Sequence, residues 1–239
     1  MPQAFPLDRL RQFLYNALAF GSVALLAGSC GPRLRSIAPS GLTPLPAEQA
    51  NAWAAALRPD RHVRYDLRWR YTTQQGSSAG RAAVRIAPPD TLRFDYRGPF
   101  GKAGSALIVG NDVIWTQPEE ETASLVPTAP LFWAALGSPL APPDDAQTLG
   151  REWDQQRAWR YVRGGDVMDF IVRESAPRQV LAELRRDDRI IGATRASLRP
   201  GTLHPAEARI AFPGEAAVFT FTVEAVDTLA AFGPQTWQR

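Results

Sequence analysis

Val63-Arg64-Tyr65-Asp66-Leu67-Arg68-Trp69-Arg70-Tyr71 alternates apolar and charged side chains without a break over nine residues. A strand sends successive side chains to opposite faces, whereas a helix repeats every 3.6 residues. The stretch therefore reads as a half-buried strand, with Val63, Tyr65, Leu67, Trp69 and Tyr71 inward and Arg64, Asp66, Arg68 and Arg70 outward. The same strand grammar recurs downstream, at 81–86, at 92–97 (LRFDYR), which alternates cleanly again, and at 105–109 and 113–116 around Gly110-Asn111-Asp112. It continues at 158–163 and 167–173 around Gly164-Gly165, then at 179–185, 190–198, 206–212 and 217–226. Eleven strands joined mostly by short turns predict an antiparallel meander.

Two short helices break the pattern. Residues 46–58 (PAEQANAWAAALR) open on a proline, suited to a first helical turn, and stop before Pro59. Ala50, Trp53, Ala54 and Leu57 stand at the i, i+3, i+4, i+7 spacing of one buried face. Residues 130–137 (PLFWAALG) form an apolar helix with a glycine stop, and a helix this apolar must bury itself against the sheet. The predicted fold is mainly β with an α lid: an open, half-closed antiparallel β-barrel of about eleven strands covered by short helices. Tyr65, Leu67, Trp69, Tyr71, Val84, Ile86, Leu92, Phe94 and Tyr96 line its inner face, joined by Trp115, Phe132 and Trp133. Barrels of eight strands already leave room for a ligand. Either the sheet flattens into a packed sandwich, or it stays open around an apolar cavity with these residues as its lining.

Composition narrows the function classes. The 239 residues are 45% hydrophobic and 21% charged, with 23 aromatic side chains and 21 prolines. Such a chain can bury a core and favours short strands over long helices. Its single cysteine, Cys30, excludes an intramolecular disulfide, and with two histidines, His62 and His204, a Cys/His zinc site is nearly excluded. No metal or cofactor is expected. Lys102 is the only lysine among 27 basic residues, and acids are interspersed with the arginines throughout, so no nucleic-acid partner is expected.

The first thirty residues read as an address. Arg9 and Arg11 precede an apolar run at 13–26, followed by the small residues Ala27, Gly28 and Ser29. That is the order of a signal peptide, and the run is short for a membrane span, which takes about 20 apolar residues. Leu25-Leu26-Ala27-Gly28-Ser29-Cys30 resembles a bacterial lipobox, although Ala27 stands where leucine is preferred. The resemblance implies cleavage before Cys30 and its acylation, anchoring the chain to a membrane; Gly31, in place of aspartate, implies the outer membrane and its periplasmic face. The expected organisation is a signal peptide at 1–29, acylated Cys30 and a flexible linker to 45, a β-barrel domain at 46–228 and a tail at 229–239. The proline-rich linker 31–45 would reach about 45 Å if extended.

Catalytic motifs are weak. Gly76-Ser77-Ser78-Ala79-Gly80 matches G-x-S-x-G, but a nucleophile elbow needs a helix after it, and here a strand follows. The turn at 98–105 (GPFGKAGS) is glycine-rich without a phosphate-loop pattern, and Glu119-Glu120-Glu121 reads as a solvated loop. The chain does not read as an enzyme.

The order of these parts resembles the LolA/LolB lipoprotein-carrier superfamily. The resemblance spans residues 47–227 and is carried by 80–115 (GRAAVRIAPPDTLRFDYRGPFGKAGSALIVGNDVIW) and the short helix after it. It implies a protein without catalytic groups that binds the acyl chains of lipoproteins or lipids in an apolar cavity and, when membrane-tethered, accepts cargo from a periplasmic carrier protein. The tethered receptor carries an exposed apolar residue on a loop near the first strands; the loop taken as equivalent, 72–79 (TTQQGSSA), is polar. The alternative is a structural or assembly lipoprotein that uses the β-domain as a protein-interaction scaffold.

Overall fold

The structure, a computed structural model, describes residues 35–126 and 128–239. Ser36–Arg239 forms one compact unit. The strands are β1 (Thr43–Pro44), β2 (His62–Thr73), β3 (Gly76–Ala87), β4 (Thr91–Arg97), β5 (Ala103–Val109), β6 (Asp112–Gln117) and β7 (Gln147–Trp153). They continue as β8 (Gln156–Arg163), β9 (Asp166–Arg173), β10 (Gln179–Arg186), β11 (Arg189–Leu198), β12 (Pro205–Phe212) and β13 (Ala217–Leu229). The helices are α1 (Ala47–Ala55), α2 (Glu119–Leu125) and α3 (Ala129–Ala135).

All thirteen strands belong to one antiparallel sheet, in the order β1-β7-β8-β9-β10-β11-β12-β13-β2-β3-β4-β5-β6. β13 pairs with β2, so the last strand closes the two arms of the meander at the middle of the sheet. The edges β1 and β6 do not meet, which leaves the barrel open on one side. β2 has the alternation its sequence demands: Val63, Tyr65, Leu67 and Trp69 are buried on the inner face while Arg68 and Arg70 are exposed. Bulges in β13, between Val223 and Ala225, and in β11 add local bend to the curl.

The sheet has two strands more than the eleven expected. β7 (QTLGREW) hides from a period-two reading because Gly150 stands at an inward position. A Cβ there would lie 2.6 Å from Leu45 Cδ2 and 3.1 Å from the Trp53 ring, so any larger residue would have to push these side chains of the β1–α1 segment aside. β1 is two residues long and pairs with β7 across Thr43–Gly150 and Pro44–Leu149. Glu119, expected in a solvated loop, instead begins α2.

The linker expected to be flexible up to residue 45 is seated from Ser36 onward. Ser36 Oγ donates to Glu183 Oε1 at 2.6 Å and the Ile37 amide to Oε2 at 2.8 Å, which satisfies a fully buried carboxylate. Ile37 and Leu42 then pack, with Trp153, against Ala158, Ile171 and Leu181 on the outer face of the sheet. The C-terminal tail is held too: Arg93 Nη1 donates to the carbonyls of Thr236 and Gln238 at 2.7 and 2.6 Å. Phe232 packs edge-on between the rings of His62 and Trp237.

Candidate functional site

The inner face of the sheet is filled from within by α3. Leu131, Phe132, Trp133, Ala134 and Ala135 are all buried, because this helix carries no polar residue to present to water. Phe132 drives into the middle of the N-terminal arm, its ring edge-on to Phe94 at 5.3 Å and 6.3 Å from Phe219. Phe94 stacks on Tyr96, Tyr96 meets Trp69 edge-on, and Trp69 stacks on Phe219. Tyr65, Leu67, Val84, Ile86 and Leu92 complete this cluster, with Tyr71 half-buried at its margin. The structure thus brings eleven of the twelve cavity residues expected from the sequence into one apolar assembly, filled by their mutual contacts and by α3.

Trp115 is the exception. It lies on the outer face, where the Arg93 guanidinium sits 5.4 Å above its ring. The register between β5 and β6 slips after Leu107–Trp115, and a slip of one residue moves a side chain to the other face. Ile114, at that slip, is 52% exposed.

α3 is pinned by few polar contacts. Thr194 Oγ1 donates to the Leu131 carbonyl at 3.0 Å, and Trp133 Nε1 donates to the Gly110 carbonyl at 3.0 Å. Beyond the helix, the Tyr161 hydroxyl donates to the Leu140 carbonyl at 2.9 Å while accepting from Trp159 Nε1 at 2.6 Å. Burial raises the pKa of Tyr161 far above the ordinary tyrosine value, so the hydroxyl keeps its proton.

The open space lies beside α3, over the other arm of the sheet. A cleft of about 300 Å³ lies among the start of α3, the β5–β6 hairpin at Asn111 and Val113, and strands β8 to β10, with Leu140, Met168, Phe170 and Leu184 among its apolar lining. Arg163, Asp166 and Arg186 also line it. Arg186 is paired with Asp166 at 2.6 Å, and that hydrogen bond holds the Asp166 carboxyl below its ordinary pKa. Arg163 is paired with Asp145 at 3.0 Å. The sequence did not single out these cleft residues; Met168, Phe170 and Leu184 alternate along ordinary strands, and only the placement of α3 distinguishes them from the rest of the core. Sequence reasoning likewise passed over Arg58, just after α1, whose Nε is buried without a hydrogen-bond partner among the described residues.

Phe100 is the other feature that the sequence did not single out. It is 100% exposed at the tip of the turn between β4 and β5, and its backbone is left-handed (φ 57°, ψ 30°). The 72–79 loop, by contrast, is a polar hairpin end.

Gly76-Ser77-Ser78-Ala79-Gly80 runs along β3, with Ser78 opposite Tyr71. His204 Nδ1 lies 3.1 Å from the Tyr65 hydroxyl, and His62 packs on Phe232. Among the described residues, no three His, Cys, Asp or Glu side chains cluster closely enough to hold a metal ion. Cys30 and the apolar run before it lie outside the described residues.

No protein-family model matches the sequence, and no curated protein matches it. Solved structures do resemble it. A LolA superfamily protein from Nitrosomonas europaea matches with a TM-score of 0.54 at 12% identity, covering 82% of this chain and 98% of that one. An outer membrane lipoprotein-sorting protein domain from Vibrio parahaemolyticus matches with a TM-score of 0.46 at 7% identity, over 81% and 97% of the two chains. A chain of the MucA/MucB complex of Pseudomonas aeruginosa matches with a TM-score of 0.35 at 12% identity, over 80% and 61%.

Proposed function

Starting from the fold of a LolA superfamily protein, we propose that this chain binds acyl chains beneath α3, anchored to the outer membrane through acylated Cys30. There it accepts lipoproteins or lipids handed on by a periplasmic carrier. The observation that carries the reading is α3 itself. An entirely apolar helix lies inside an open sheet, tied down by two side-chain hydrogen bonds among the described residues, next to a cleft that already stands open with apolar and charged side chains in its lining.

Each methylene kept out of water is worth about 0.8 kcal/mol, so a carrier needs a dry berth large enough for a chain. The cleft of about 300 Å³ is at the small end for a ligand site. Outward movement of α3 would withdraw Phe132 from Phe94 and Phe219 and join the cleft to the aromatic cluster. Tyr65, Leu67, Trp69, Tyr71, Val84, Ile86, Leu92, Phe94 and Tyr96 would then be the enlarged lining. No catalytic step is required, because loading and release are both changes of solvent.

Phe100 supports a role at a membrane. A fully exposed aromatic side chain held on a left-handed backbone is costly on both counts, and such strain persists where function retains it. Anchoring at Cys30 would hold the domain close to the membrane. From Cys30 to Ser36 the chain spans six residues, at most about 20 Å, rather than the length of the whole proline-rich linker.

Native mass spectrometry of Ser36–Arg239, with displacement of an acyl-chain fluorophore, tests the proposal. Co-purifying lipid or saturable fluorophore binding is the expected result. A lipid-free domain that leaves the fluorophore unmoved overturns it.

A further inference from the structure

The outer face of the sheet carries its charge in cross-strand rows. The register sets Arg68 on β2 opposite Arg81 on β3, and Arg81 opposite Arg97 on β4. Two residues along the strands, Asp66, Ala83, Asp95 and Ser105 line up; two further along come Arg64, Arg85 and Arg93. Like charges directly opposite one another destabilise a sheet, so each arginine row calls for compensation.

The row through Arg85 has it. Arg64 pairs with Asp66 at 2.9 Å, Arg93 pairs with Asp95 at 2.9 Å, and Arg85 pairs with the same Asp95. Ser105 Oγ donates to Asp95 as well, at 2.6 Å. In the other row Arg68 is held by Glu224 at 2.6 Å. With those carboxylates engaged, Arg81 and Arg97 face each other, exposed and without an ion-pair partner among the described residues. They border an open groove of about 1310 Å³ beside Ala103, Gly104 and Gln117.

The uncompensated charge continues across the sheet. Arg70 on β2 lies opposite Thr220, Thr220 opposite Arg209 on β12, and Arg209 opposite Arg195 on β11. These three arginines are also exposed and without an ion pair among the described residues. Against the field stands Glu207, opposite Thr222. Arg70, Arg81, Arg97, Arg195 and Arg209 are thus spread over six adjacent strands, from β11 to β4. At about 4.8 Å per strand the field is roughly 24 Å wide.

We infer that this face docks on an anionic phospholipid surface, with Arg81 and Arg97 at the centre of the contact. Guanidinium forks match phosphate oxygens two at a time. A field spread this widely over a sheet surface suits an array of headgroups better than one enclosed anion. The seated N-terminal segment points the same way. Ile37 and Leu42 lie on this same outer face, against Leu181, and Leu181 is the register partner of Arg195. A tether that leaves the domain at Ser36 therefore leaves it on the arginine-bearing face. That last argument rests on the proposed anchor at Cys30; the charge pattern does not.

Co-sedimentation of Ser36–Arg239 with lipid vesicles tests the inference without the anchor. The domain should bind phosphatidylcholine vesicles containing about a third phosphatidylglycerol, ignore pure phosphatidylcholine, and be released by high salt. Arg81→Gln with Arg97→Gln removes exposed charge that the sheet does not need, so the fold should survive. At about fivefold per arginine near such a surface, the pair should weaken vesicle binding more than tenfold. The same variant should bind an acyl-chain fluorophore as the parent does, which separates this inference from the cargo site. Equal binding to neutral vesicles, or indifference to the double substitution, overturns it. So does binding of inorganic phosphate with no binding of vesicles.

Discussion

The contact between Tyr65 and His204 shows how much one residue pair reveals about the closed end of the sheet. Burial pushes the pKa of Tyr65 far above its ordinary value, so its hydroxyl keeps its proton, and it shares a hydrogen bond with His204 Nδ1 at 3.1 Å. Burial, and secondarily the charge of Arg199, lower the pKa of His204. The folded protein therefore holds the proton of His204 less readily than the unfolded chain does. Stability contributed by the neutral ring is present above the unfolded value of about 6.5 and is lost as pH falls below it toward the folded value. Denaturation midpoints followed from pH 8 to pH 5 should decline on the acid side, and His204→Gln, which keeps an acceptor, should flatten the decline. An unchanged slope in that variant would assign the acid sensitivity to other groups. At this scale the sequence spoke only in part. Tyr65 was legible as an inward residue from its period, whereas its histidine partner, 139 residues away, sits in a turn that no local pattern connects to it.

At the scale of the element, α3 decides whether the interior is core or cavity. Its existence follows from the PLFWAAL run, and so does its burial, since no residue in it can face water. Its depth does not follow. The helix enters far enough for Phe132 to pack edge-on against Phe94 and tilted against Phe219, and it leaves the unfilled space on the side of Met168, Phe170 and Leu184. Phe132→Ala should cost about 3–5 kcal/mol of stability, the usual penalty for deleting a buried aromatic side chain. If α3 is a movable cover, the vacated volume should also raise affinity for an acyl-chain fluorophore. Loss of stability without any gain in binding would identify Phe132 as fixed core. The slip between β5 and β6 belongs to this scale as well: it turned Trp115 outward, and a period-two count cannot register an extra residue absorbed by a bulge.

Across the described residues, thirteen strands and an N-terminal strap are joined in one compact unit. The strap satisfies the carboxylate of Glu183, pairs with β7 and covers Ala158, Ile171 and Leu181. A domain beginning at residue 46 loses both hydrogen bonds to the Glu183 carboxylate, which keeps Arg185, at 3.4 Å, as its ion-pair partner among the described residues and faces Asp169 across the strands. Losing those hydrogen bonds and uncovering apolar surface together should cost at least about 3 kcal/mol. Thermal melts of domains starting at residues 36 and 46 should therefore differ by several degrees, and coincident melts would show the strap to be dispensable. The alternation from Val63 to Tyr71 determined the secondary structure and the inward face by itself, because the two sides of a strand are set by backbone geometry alone. Which space stays open, which face Trp115 takes, where the chain from the N-terminus is seated and which arginines are left without carboxylates were decided only by the tertiary structure. Each depends on partners brought together across the sheet from distant parts of the chain, and neither residue type nor local period encodes that.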